Sequence, residues 1–284
     1  MKTAPFKLEG SKVRNRSKII SFLDVPHRLY VEPFGGTGSV FFGKEPSFSE
    51  VYNDLNGLMV NFFKVLKDPA KRAQLQELGK YTPKGRQFWN EHKEICVTTG
   101  EERARAIEKT GAGSYDPRAV LAFAFFYCQN LGFGGRLLSS YGITRTRDGG
   151  AHARHFLLKL NDLDAFAERF ALVQIENKPW KECIESYDTP DTLFYLDPPY
   201  ETPSAKHYMT GWTSQDTKDL VDACLRLKGR AVLTCYDCEL YHPLRDAGWR
   251  RVQWTSVQSV SKTRQYVTET LYASPDSADL PQVE

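Results

Sequence analysis

Two adjacent prolines, Pro198 and Pro199, follow directly on the apolar run Leu193-Phe-Tyr-Leu196. Four apolar residues without polar alternation form the pattern of a short strand buried on both faces. Neither proline donates a ladder hydrogen bond, and the residue before a proline is held out of the helical region, so the strand must end there. Its tip is left with the carboxylate of Asp197, the carbonyl of Pro198 and the ring of Tyr200.

The rest of the chain repeats a strand–helix alternation around that tip. Residues 16–23 read as a short amphipathic helix. His27-Arg-Leu-Tyr-Val-Glu-Pro-Phe34 reads as a strand running into Gly35-Gly36-Thr37-Gly38, with a helix predicted from Ser39. Glu50-Val-Tyr-Asn-Asp54 is a second short strand ending in an acid. Residues 55–79 have a helical pattern, residues 82–116 read as a polar loop with short helices, and Pro117 opens a strongly apolar helix broken from Gln129. An exposed loop is predicted over 137–156 and a helix over 160–170, with strand grammar resuming at Leu172-Val-Gln-Ile175. A helix over 214–227 with Ser214 as cap, a strand over 230–236, a short helix over 241–247 and strands over 249–256 and 269–274 complete the pattern. The expected fold class is α/β: a Rossmann-like, doubly wound, mostly parallel sheet with an inserted, mainly helical domain. The expected division is 1–56 with 171–274 as one domain, 57–170 as the insertion and 275–284 as a disordered tail.

The 284 residues, 41% of them apolar, suffice for one large or two small domains. No run reaches the roughly 18 apolar residues of a membrane span, and Met1-Lys-Thr-Ala-Pro5 has no signal-peptide core. Cys96, Cys128, Cys183, Cys224, Cys235 and Cys238 are scattered, and Cys235-Tyr-Asp-Cys238 has no second pair, which argues against zinc. A cytoplasmic protein with reduced thiols, no metal and at most weak dimerisation is expected. The net charge of +3 implies no partner by itself. Its distribution is more informative: Lys2, Lys7, Lys12, Arg14, Arg16 and Lys18 stand against Glu9 alone, and Arg136, Arg145, Arg147, Arg154 and Lys159 form a second cluster. Each cluster is either a solvated face or a surface for phosphate.

In an open α/β sheet, ligands bind beyond the carboxyl ends of the strands, which gathers Gly35–Gly38, Asp54 and Asp197–Tyr200 around one crevice. A glycine turn after a strand lets a nucleotide approach backbone N–H groups, and an acid ending the next strand suits a ribose. Asp54 reads equally as the N-cap of the following helix. At the third strand tip, Asp197 and the Pro198 carbonyl are two acceptors for the two donors of an exocyclic amino group. Accepting both would draw the nitrogen lone pair out of conjugation, while Tyr200 offers a face for the base. A base within a duplex reaches such a pocket by flipping out.

Val31-Glu-Pro-Phe-Gly-Gly-Thr-Gly38, Asn53-Asp54 and Asp197-Pro-Pro-Tyr200 together resemble the Dam-type, alpha-group DNA adenine-N6 methyltransferases, over nearly the whole chain from Lys7 to Ser274. The resemblance implies that Glu32, Pro33, Phe34, Gly35, Gly36, Thr37 and Gly38 hold S-adenosylmethionine, with Asp197 bordering the same site. It further implies that Asp54 holds the ribose and that Lys12, in Gly10-Ser11-Lys12, holds the methionine carboxylate. Asp197, Pro198, Pro199 and Tyr200 would grip a flipped adenine of double-stranded DNA. The insertion would be the target-recognition region, with Asn130, Arg136, Arg145, Arg147 and Arg154 facing DNA. One departure lies in Ile175-Glu-Asn-Lys-Pro-Trp180, which lacks the acid such families place against the cofactor adenine; Glu176, or stacking and backbone, would take that role. Cytosine-N4 methylation is the nearest alternative, since both amino groups suit the same acceptors. A catalytically idle DNA-binding module is the alternative of another class, distinguished by failure to bind S-adenosylmethionine.

Overall fold

The computed structural model describes residues 3–142, 151–200, 211–258 and 265–275. The chain falls into two compact units, Met1–Ser11 with Asn56–Ala171, and Lys12–Leu55 with Leu172–Glu284.

The second of these is built on seven strands: β1 (Leu29–Glu32), β2 (Ser49–Asn53), β3 (Gln174–Glu176), β4 (Thr192–Leu196), β5 (Arg230–Cys235), β6 (Arg250–Gln258) and β7 (Gln265–Ala273). Their order in the sheet is β3-β2-β1-β4-β5-β7-β6. Strands β1 to β5 pair in parallel, and β7 runs antiparallel to both β5 and β6. This is a Rossmann-like, mostly parallel α/β sheet, as the alternation predicts. Tyr30, Val31, Val51, Tyr52, Leu193, Phe194 and Leu196 are buried, which is why the central strands show no polar alternation. The winding reverses between β1 and β4, so the crevice opens at the tips carrying Glu32 and Asp197.

Among the described residues, four α-helices belong with this sheet: α1 (Arg16–Ser21), α9 (Trp180–Tyr187), α10 (Ser214–Cys224) and α11 (His242–Asp246). The cap of α10 is Thr213, in a reciprocal capping box with Asp216, one residue before the expected Ser214. Helix α9 was not foreseen in the sequence. Conversely, no helix follows Ser39. The chain there makes isolated turns, with Phe42 N–H donating to Gly38 O at 2.9 Å and Lys44 N–H to Val40 O at 3.0 Å. Pro46 and the start of β2 at Ser49 leave too little chain for more than a turn.

The other unit contains seven helices among its described residues: α2 (Gly57–Lys67), α3 (Pro69–Tyr81), α4 (Arg86–Val97), α5 (Gly100–Lys109), α6 (Pro117–Leu131), α7 (Ala151–Asn161) and α8 (Leu163–Phe170). Helix α6 is its core, buried from Val120 onward except at partly buried Leu121, and capped by Asp116, which accepts from Arg118 N–H at 2.8 Å. Phe62 stacks on Phe126 at 5.9 Å and Phe63 on Phe170 at 4.8 Å. Phe6 meets Phe62 edge-on at 5.2 Å, which ties the start of the chain to these helices. The helical run expected over 55–79 is divided at Asp68, whose carboxylate caps α3. Residues 82–116 hold α4 and α5 where a loop with short helices was expected; Trp89, His92, Ile95 and Cys96 supply a buried helical face. Helix α7 takes the end of the loop predicted over 137–156, whereas residues 143–150 and the tail from 276 lie outside the described residues. No helix among the described residues is long and apolar enough to cross a membrane.

Candidate active site at the strand tips

The turn after β1 is shaped by glycine where nothing else fits. A Cβ on Gly35 would lie 2.2–2.7 Å from the ring of Tyr52, and Gly36 and Gly38 have φ of 52° and 66°. Tyr52 Oη donates to Gly36 O at 2.7 Å, and Gly35 N–H donates to Asn53 O at 2.7 Å. Asp54 Oδ2 accepts from Gly36 N–H at 2.8 Å, so this acid fixes the turn. Its reading as a helix N-cap fails, because Asn56 caps α2 by accepting from Leu58 N–H at 2.9 Å. Asn53 donates from Nδ2 to Pro33 O at 2.8 Å and to Lys178 O at 3.0 Å, joining the segments after β1 and β3. Thr37 is buried within the turn.

At the tip of β4, three donors converge on Asp197 Oδ1: Lys12 Nζ at 3.0 Å, Tyr200 Oη at 2.9 Å and Thr234 Oγ1 at 2.9 Å. Lys12 is only 5% exposed and also lies 4.5 Å from the centroid of the Tyr200 ring. One lysine of the basic N-terminal cluster is therefore an internal group of the site. Tyr200 does not present the open stacking face expected of it: the ring is buried, with Tyr236 at 4.4 Å, because its hydroxyl is drawn onto Asp197. Pro198 is buried and Pro199 partly buried beside it.

Glu32, at the neighbouring tip of β1, is buried and accepts from Tyr30 Oη at 2.7 Å. Burial pushes its carboxyl up to about 8, against the opposing pull of the Tyr30 hydrogen bond and of Lys44. Glu176 ends β3 under hydrogen bonds from Tyr187 Oη at 2.6 Å and Gln174 Nε2 at 2.9 Å, and the Tyr187 bond holds its carboxyl below the usual range.

Sequence reasoning missed an aromatic group in the same unit. Phe34, directly before the glycine turn, lies 6.1 Å from Trp180 and 5.6 Å from Trp212, and the two indoles are 6.1 Å apart. All three rings are partly buried, and Trp212 Nε1 donates to Thr217 Oγ1 at 2.9 Å. The signal was available in Lys-Pro-Trp180, the stretch marked for its missing acid.

A protein-family model spans the glycine turn, the helical insertion and Asp197-Pro-Pro-Tyr200. The model for D12 class N6 adenine-specific DNA methyltransferases covers residues 9–258. The chain belongs to that family. Its substrate is accordingly DNA and its target the adenine amino group, which sets aside the cytosine-N4 alternative. No curated protein matches the methyltransferase.

In the helical unit of the methyltransferase, the residues expected to face DNA have different surroundings. Asn130 is 2% exposed and donates to Pro5 O at 3.3 Å and Phe126 O at 3.1 Å, so its amide serves the interior. Arg136 is half-exposed with Nε 3.4 Å from a Glu9 carboxylate oxygen, and Arg154 is exposed on α7. Arg145 and Arg147 lie outside the described residues. The turn carrying Arg136 is closely braced: Gln129 donates to Lys7 O at 2.7 Å and Gly135 O at 3.1 Å, and Phe133 N–H donates to Ser140 O at 2.8 Å. Phe133 itself is 67% exposed on that turn.

Proposed function

We propose that the protein transfers a methyl group from S-adenosylmethionine to N6 of an adenine flipped out of double-stranded DNA, with Asp197 and the Pro198 carbonyl accepting the two amino N–H bonds. The convergence of Lys12, Tyr200 and Thr234 on Asp197 Oδ1 carries this reading, because it fixes the carboxylate at the β4 tip beside the glycine turn. Drawing both amino hydrogens toward acceptors keeps the nitrogen lone pair off the ring and available for attack. As the N–C bond forms, the amino nitrogen sheds one proton to solvent along its hydrogen bond to Asp197. S-adenosylmethionine, when bound, would supply a methyl group activated by its sulfonium and would leave as S-adenosylhomocysteine.

The residues present suit that donor. The Tyr52 ring packs where a Cβ of Gly35 would lie, and the positive φ of Gly36 and Gly38 gives a tight turn that carries no side chain at those positions. Asp54 is fixed at the rim for the ribose, since a carboxylate accepts several hydrogen bonds. The Phe34–Trp180–Trp212 group offers stacking for the cofactor adenine in place of the absent acid. An ammonium has three donors, so Lys12 can reach the methionine carboxylate while keeping Asp197. Pro33, at the start of the turn, is braced by the Asn53 amide on its carbonyl. On the helical unit, Arg136 and Arg154 supply charge for phosphate, and Phe133 supplies an apolar contact.

The test is direct. Duplex DNA incubated with the protein and methyl-labelled S-adenosylmethionine, then digested to nucleosides, should carry label in N6-methyladenosine's deoxy form. DNA that stays unlabelled across varied sequences would overturn the proposal and favour an idle DNA-binding module.

A further inference from the structure

Glu269, on β7, is a buried carboxylate, 9% exposed, whose Oε2 accepts from Asn15 Nδ2 at 3.2 Å. The same amide donates to Ser256 Oγ on β6 at 2.7 Å. Its two hydrogens allow both bonds, and polar groups taken out of water are costly unless so paired. Asn15 thereby fastens to two strands the short 3-10 turn Lys12–Arg14, which it closes by donating its N–H to Lys12 O at 3.0 Å. Asn15 occupies the N-cap position of α1, where asparagine ordinarily bonds the first helical N–H groups, yet it makes no side-chain cap hydrogen bond. Its side chain is committed to the strands.

We propose that Asn15, clamped by Glu269 and Ser256, is the positioning residue that holds Lys12 on Asp197. It touches no substrate and acts through the turn whose first residue is Lys12. The inference rests on the reading of Lys12 and Asp197 as site residues. It adds a link from the β6–β7 pair to the catalytic carboxylate.

The test uses the full chain and reads the position of Lys12 without turnover. Lysines are acylated with an N-hydroxysuccinimide ester and quantified by mass spectrometry, beside kcat and KM for S-adenosylmethionine. Buried Lys12 should label slowly in the wild type. In Asn15→Ala, folded by circular dichroism, its labelling should rise roughly tenfold with other lysines unchanged, and kcat/KM should fall by about the same factor. Asn15→Asp sets a carboxylate against Glu269 and should be worse. Combining it with Glu269→Gln, whose amide can donate to the new carboxylate, should return both readouts to within about threefold of wild type. If Asn15→Asp does not fold, Glu269→Ala releases the clamp from the strand side and should expose Lys12 likewise. Lys12 remaining protected in folded Asn15→Ala, or a folded double variant no better than Asn15→Asp, would overturn the proposal. Because labelling needs no catalysis, its result is separable from whether Asp197 serves methyl transfer.

Discussion

The tips of β1 and β4 each present a carboxyl group, on strands paired side by side, and the two groups live in different surroundings. Glu32 is sealed in, accepts from one tyrosine hydroxyl, and is pushed up to about 8 by burial. Asp197 is partly open, and a lysine ammonium and two hydroxyls donate to one of its oxygens. Like chemistry on adjacent strands is thus divided by neighbours: the buried group bonds only a tyrosine of its own strand among the described residues, and the braced group offers an acceptor at the crevice. Burial without a touching cation favours the protonated form, whereas convergent donors favour a fixed acceptor.

Removing the brace should have the larger effect. Lys12→Ala takes the cation from Asp197 and should lower kcat/KM by roughly 10²-fold, with Lys12→Arg retaining part of the activity. Steady-state kinetics on duplex DNA check this, and an unaltered kcat/KM in Lys12→Ala would erase the distinction between the two tips.

Changing the buried group should act on stability and its pH dependence. With the Glu32 carboxyl raised to about 8 from 4.5, the native state keeps a proton that the unfolded chain loses. Stability from this group is therefore fully present below about pH 4.5 and declines as pH rises toward 8, by at most roughly 1.4 kcal/mol per unit. Glu32→Gln should remove that decline, so its Tm relative to wild type should climb between pH 5 and 8 in thermal unfolding. A constant difference across that window would show that Glu32 is not held protonated. Tyr30→Phe is the finest probe. It deletes the hydroxyl that pulls the Glu32 carboxyl downward, and should cost about 1 kcal/mol while extending the upper end of the pH-dependent decline to higher pH.

The central strands were legible because burial on both faces leaves an uninterrupted apolar run, as in Leu193–Leu196. The glycine turn and the Pro-Pro stop were legible because each is a local steric statement. Helix α9 was not, although Trp180, Cys183, Ile184 and Tyr187 carry helical spacing, because eight residues make too short a window beside a strand. The predicted helix after Ser39 failed because Pro46 and the start of β2 at Ser49 leave too little chain for more than a turn. Within the site, Lys12 on Asp197 could not be read from spacing, since two remote segments meet only through the fold. The same holds for Asn130, which the family resemblance set facing DNA while its position on α6 sends it inward.

The most direct measurement of the account is single-turnover methylation of duplex DNA by Asp197→Ala, run beside calorimetric titration with S-adenosylmethionine. The variant should bind S-adenosylmethionine within a few-fold of wild type while methyl transfer falls by roughly 10³-fold or more. Transfer at the wild-type rate would contradict the assignment of Asp197 as the acceptor that holds the adenine amino group.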